Sequence, residues 1–167
     1  MIIDESRIDK KGLRVSDTYT PDDRLLLEGD SFFRKDLSFS ISMVRDSEKI
    51  KVTGSFKTEI SVRCVKCLEH FDFNINSKFD SILFPLSLAD FSYASLKEEE
   101  MEYIFYSNGE IDIEKLIIEQ VNLNVPLRVV CSDNCKGLCS MCGTNLNYEK
   151  CKCSSSIDEI NVFNNLK

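Results

Sequence analysis

Eight cysteines constrain this chain more than any other feature, because all of them fall into four close pairs. The pairs are Cys64-Val-Lys-Cys67, Cys131-Ser-Asp-Asn-Cys135, Cys139-Ser-Met-Cys142 and Cys151-Lys-Cys153. The start, Met1-Ile-Ile-Asp-Glu-Ser, has neither the basic residues nor the apolar run of a signal peptide. No apolar stretch approaches the roughly 20 residues that cross a bilayer. Leu116 to Val130 is interrupted by Glu119, Asn122, Asn124 and Arg128. Both observations predict a cytoplasmic protein with no membrane partner. In a reducing cytosol paired thiols point to metal rather than to disulfides.

Zn2+ has no ligand-field preference and takes a tetrahedron of thiolates supplied by chelating pairs from two loops. Gly143, directly after Cys142, suits the positive φ that such a loop needs. Lys66, Lys136, Lys150 and Lys152 stand beside the cysteines and offset the charge of four thiolates around one divalent ion. The expectation is two four-thiolate zinc sites that use Cys64, Cys67, Cys131, Cys135, Cys139, Cys142, Cys151 and Cys153. Two groupings are open. Cys139, Cys142, Cys151 and Cys153 close a short loop cheaply and leave Cys64, Cys67, Cys131 and Cys135 as a long-range clamp. Alternatively Cys131, Cys135, Cys139 and Cys142 group locally and leave Cys64, Cys67, Cys151 and Cys153. Thiolates alone also accept an iron–sulfur cluster. His70, three residues beyond Cys67, reads as a surface histidine when eight thiols are at hand.

Catalysis is not expected. A site of four cysteines is coordinatively closed, whereas a catalytic zinc keeps a position open. Cys64 and Cys67 follow a strand in an antiparallel pattern rather than opening a helix, as a C-x-x-C redox motif does. G-x-S-x-G, H-E-x-x-H and phosphate-cradling glycine loops are absent from the sequence, and no small-molecule substrate is implied. A thiol-based redox or metal-handling protein using the same cysteines is the alternative.

Around the cysteines the pattern is that of an α+β protein. Leu37, Phe39, Ile41 and Met43 alternate with serines; Ile50, Val52, Phe56, Ile60 and Val62 continue the alternation, and Phe71, Phe73, Ile75 and Phe79 repeat it. This predicts a three-stranded antiparallel meander with one apolar face. Gly54 sits mid-strand, where a bulge or bend is expected. Tyr103 to Tyr106 is β-prone and Asn108-Gly109 marks a turn. Ile113, Leu116, Ile117 and Val121 recur at helical spacing, which predicts one main amphipathic helix over Asp112 to Leu123, stopped by Pro126. The first thirty residues are ambiguous: Ile2-Ile3 and Leu25-Leu26-Leu27 suit short strands or helical turns. The organisation expected is a sheet-plus-helix domain over 1–130 and a cysteine-rich zinc module with its tail over 131–167.

The formal charge of −7 argues against a generally basic nucleic-acid binder. Its distribution is uneven. Arg34 to Lys66 holds eight Lys/Arg against four Asp/Glu, whereas Asp80 to Gln120 holds two against ten. The Lys97 to Glu102 run reads as a solvated acidic loop. Strand register sets Lys49, Lys51, Lys57 and Arg63 opposite Ile50, Val52, Phe56 and Ile60. That cationic face either serves solubility or contacts RNA phosphates.

Val125-Pro-Leu, then Cys135-Lys-Gly-Leu-Cys-Ser-Met-Cys-Gly-Thr-Asn-Leu-Asn147, then Cys151-Lys-Cys153, with Cys64-Val-Lys-Cys67-Leu-Glu-His-Phe71 upstream, resembles the YceD family of large ribosomal RNA subunit accumulation proteins. The resemblance runs from about Leu37 to Cys153. It implies a non-catalytic factor for accumulation or processing of large-subunit (23S) rRNA and for ribosome biogenesis, with rRNA or early assembly proteins as partners.

Overall fold

The computed structural model describes residues 1–21, 27, 30–88 and 102–153. The chain divides into two compact units, Met1–Ser61 with Asp72–Pro126, and Val62–Phe71 with Leu127–Lys167.

In the first unit the alternating segments form strands. The strands, in chain order, are β1 (Ile2–Asp4), β2 (Leu13–Tyr19), β3 (Phe32–Phe33), β4 (Leu37–Asp46), β5 (Lys49–Arg63), β6 (His70–Pro85), β7 (Glu102–Tyr106) and β8 (Glu110–Asp112). The single α-helix described, α1, spans Ile113–Leu123. The main sheet runs β2-β4-β5-β6-β7, with β3 paired to β5, and β1 pairs separately with β8. The expected three-strand meander is therefore its centre, and β2 extends it on the β4 side. β7 adds in parallel to β6, Ser81 opposite Glu102 through Pro85 opposite Tyr106, so the sheet is mixed. Sequence alternation cannot report this, because a strand's period of two is the same in either direction. Residues Leu25 and Leu26, most of the acidic 97–102 run and the tail from Ser154 lie outside the described residues.

The inward set is the one the alternation selects. Leu37, Ile41, Met43, Ile50, Val52, Phe56, Ile60 and Val62 are all at most 2% exposed. Each such side chain contributes about 1.5–3 kcal/mol by leaving water. The helix adds Ile113, Leu116, Ile117 and Val121 to the buried set. Its start is capped by Asp112, whose carboxylate accepts from the Glu114 and Lys115 backbone N–H groups at 3.1 and 3.4 Å. No described helix is long and apolar enough to cross a membrane.

Gly54 does not mark a bulge. β4 and β5 pair without a slip through Ile41 opposite Gly54. The missing side chain is needed for packing: a Cβ there would stand 2.5 Å from the Phe79 ring. A second network anchors the N-terminal segment. Arg45 donates to the carbonyls of Ile8 at 2.9 Å and Glu5 at 2.6 Å, and the Tyr106 hydroxyl donates to the Glu5 carboxylate.

Candidate metal centres

Both cysteine clusters belong to the second unit. The first begins where β5 ends. Cys64 and Cys67 sit on a tight turn closed by the Leu68 N–H donating to the Cys64 carbonyl at 2.9 Å, with Leu68 at φ 62°. The 129–138 segment holds this turn at two points: Val65 N–H donates to the Val129 carbonyl at 2.9 Å, and Leu138 N–H to the Lys66 carbonyl at 3.1 Å. Gly137 permits the second contact, because it has φ +75° and a Cβ there would lie 3.0 Å from the Lys66 oxygen. Cys131 and Cys135 are thereby delivered to Cys64 and Cys67.

The sulfur spacing decides what such a cluster can do. Cys64 Sγ is 3.8 Å from Cys135 Sγ, and Cys67 Sγ is 3.7 Å from Cys131 Sγ. A disulfide would need about 2.05 Å. Four sulfurs about 2.3 Å from one ion form a tetrahedron with edges of roughly 3.8 Å. All four sulfurs lie within 4.8 Å of one another. Cys64, Cys67 and Cys135 are buried, with Phe71 packed against them, while Cys131 is exposed.

The second cluster gathers Cys139, Cys142, Cys151 and Cys153, again with sulfurs within 4.8 Å. Cys139 N–H donates to the Thr144 carbonyl at 2.8 Å and Gly143 N–H to the Cys139 carbonyl at 2.9 Å. Gly143 has the positive φ, 72°, that its place after Cys142 suggested. This cluster is more open, with Cys142 exposed and Cys151 and Cys153 half-buried. The structure thus forms the long-range clamp and the short local site, the first of the two groupings open from sequence.

Electrostatics set the sulfurs of each cluster against one another. Burial pushes the Cys64 thiol up, but N–H groups of Cys67, Cys131 and Lys66 outweigh it and hold the thiol down at about 6. Burial pushes Cys67 up to about 12, and the neighbouring sulfurs of Cys64, Cys131 and Cys135 add to the rise. In the other cluster the Thr144 hydroxyl, 3.1 Å from Cys142 Sγ, and the Thr144 N–H lower Cys142 to about 6. Its neighbour Cys142, then burial, raises Cys153 to about 11. Each cluster readily makes a thiolate and resists making four. A divalent cation at the centre would remove that resistance.

Sequence reasoning missed Asn147. Its side chain donates to Cys135 Sγ at 3.4 Å and accepts from the Lys136 N–H at 2.8 Å, so it orients a sulfur. The signal was present as the polar Asn in Asn145-Leu-Asn147. His70 is exposed and belongs to neither cluster. Of the cationic face, Lys49 is half-buried and Lys51, Lys57 and Arg63 are exposed. Lys51 pairs with Asp46 at 3.2 Å. Arg63 falls in the second unit.

Fold and site together define an α+β protein with a cysteine-rich unit carrying two sets of four thiols with metal-site geometry. The chain belongs to the family described as large ribosomal RNA subunit accumulation protein YceD, whose model matches residues 52–167. It is 29% identical over 136 residues to the chloroplastic large ribosomal RNA subunit accumulation protein YCED homolog 1 of Arabidopsis thaliana, covering 68% of this chain and 42% of that protein. The Zea mays homolog is 26% identical over 138 residues, 68% of this chain and 47% of that one. An uncharacterized protein of Mycobacterium leprae is 31% identical over 107 residues, 62% and 46% of the two chains. The chain spans a little under half the length of these relatives. No solved structure matches it.

Proposed function

We propose that this protein is a non-catalytic zinc-binding factor that supports accumulation or processing of large-subunit (23S) rRNA during ribosome biogenesis in the cytoplasm. The observation that carries this reading is that the matched stretch, residues 52–167, contains every cysteine of both clusters. Family membership supplies the link to large-subunit rRNA. Four-thiolate chemistry supplies zinc, because a closed tetrahedral set of sulfurs suits a d10 ion held for structure. Lys49, Lys51, Lys57 and Arg63 are offered as phosphate contacts, with rRNA or an early assembly protein as the partner.

Two measurements test it. Elemental analysis of anaerobically purified protein is expected to give two zinc ions per chain. In cells lacking this protein, wild type is expected to restore large-subunit rRNA levels. One zinc or fewer with titratable thiols, or failure of wild type to restore rRNA, would reject the reading. Exposed Cys142, held near pH 6 by Thr144, favours a second reading as a thiol-based redox or metal-handling protein. Iron in the purified protein, or reversible oxidation at Cys142 that tracks activity, would select that alternative.

A further inference from the structure

The outward face of the first unit carries a groove that the family's cysteines do not explain. Strand register builds it. Arg14, Ser42 and Thr53 stand abreast on β2, β4 and β5, and Ser16, Ser40 and Ser55 form the next row. β6 contributes Lys78 and Asp80, and the result is a cavity of about 340 Å³. Its lining sets short hydroxylated side chains between long charged ones, with Ile41, Gly54 and Phe79 showing beneath them. That difference in length is what makes a pleated surface concave here. Successive rows repeat about every 6.7 Å along a strand, on the order of the step between neighbouring phosphates in an extended nucleic-acid strand.

Several cations of the unit are taken up in ion pairs, and those of the groove are not. Arg34 pairs with Asp72, Lys35 with Glu59, Arg45 with Glu5 and Lys51 with Asp46. Among the described residues Arg14, Lys78 and Asp80 form no such pair, although Lys78 and Asp80 line one cavity. Hydroxyls set between cations suit a ribose-phosphate backbone. It alternates anions, which need cationic donors, with 2′-hydroxyls, which need an acceptor as well.

We infer that this groove binds the sugar-phosphate backbone of a single-stranded RNA segment, with Arg14 and Lys78 on phosphates and Asp80 accepting from a 2′-hydroxyl. The inference rests on the proposed role in large-subunit rRNA accumulation and adds residues that role does not name. Ser40, Ser42, Thr53 and Ser55 supply neutral donors between the charged contacts. A DNA backbone would leave Asp80 facing phosphate without a hydroxyl to accept from.

The test uses full-length, zinc-loaded protein and fluorescence anisotropy with an oligouridine dodecamer and its deoxyuridine counterpart, across a potassium chloride series. Wild type is expected to prefer the RNA. Arg14→Ala with Lys78→Ala should weaken RNA binding at least tenfold and reduce the slope of log K against log salt by about 1.4, the single-strand value for two phosphate contacts. Asp80→Ala should lower the RNA-over-DNA preference at least threefold with the slope unchanged. Lys35→Ala, a charge loss outside the groove, should leave the slope unchanged. Thermal midpoints and zinc content should hold in every variant, as exposed charges contribute little to stability. An unaltered slope in the double variant, or no preference for RNA in wild type, would overturn the groove. Cells separate the two levels. Wild type and double variant restoring rRNA equally would remove the groove and leave the proposed function standing, whereas failure of wild type would remove the function itself.

Discussion

Replacing Cys64 by serine tests the argument that the first cluster is a long-range clamp and the second a local staple. Cys67 and Cys131 are 64 residue steps apart, against nine residue steps from Cys142 to Cys151. Loop-closure entropy scales as (3/2)RT ln n, so opening the long loop costs about 1.7 kcal/mol more than opening the short one. Burial adds to the difference in the same direction. Cys64 is 0% exposed, so the serine hydroxyl is placed among sulfurs and Phe71, whereas Cys151 is half-buried. An unsatisfied buried hydroxyl contributes a further penalty of about 1–3 kcal/mol. For a chain of this size each kcal/mol moves Tm by about 2–4 °C. Cys64→Ser is therefore expected to melt roughly 5–19 °C below Cys151→Ser by the same conversion. The assay is thermal unfolding followed by near-ultraviolet circular dichroism, under anaerobic conditions with zinc in slight excess. Equal midpoints for the two variants, or a lower one for Cys151→Ser, would refute the clamp reasoning.

Chelation of the metal should remove amide-exchange protection from residues 62–71 and 127–153 while protection in the Ile113–Leu123 helix persists, as measured by hydrogen exchange with mass spectrometry. Gly54→Ala drives a Cβ into the Phe79 ring, and is expected to destabilise by about 1–3 kcal/mol in urea unfolding. Phe79→Leu should partly relieve that penalty, and strictly additive effects would exclude the contact. Tyr106 is pushed up to about 12 by burial and then by its hydrogen bond to the Glu5 carboxylate. The folded state keeps a proton that the unfolded chain releases at the ordinary 10.0. The stability from that proton is complete below pH 10 and is lost as pH rises through 12. Tyr106→Phe should flatten alkaline denaturation over that window, and an unchanged pH profile would show that the Glu5 contact contributes nothing.

The parts of the fold that depend on local periodicity were legible in the order of residues. The alternation from Leu37 to Phe79 located the central strands and their buried faces, because one side chain in two must leave water whatever lies across the sheet. Ile113, Leu116, Ile117 and Val121 located the helix for the same reason at a period of 3.6. Spacing also delivered the eight sulfurs as chelating pairs, since two cysteines a few residues apart can face one ion without help from the rest of the chain. The folded chain selects which pairs meet. That choice depends on backbone bonds from Val65 to Val129 and from Leu138 to Lys66, made between segments more than sixty residues apart. It likewise decided that β7 runs parallel to β6, that Gly54 accommodates a ring rather than a bulge, and that Arg14 and Lys78 share a groove. Each is a long-range pairing whose partners are selected by packing, and a one-dimensional pattern contains the faces of its elements but not their neighbours.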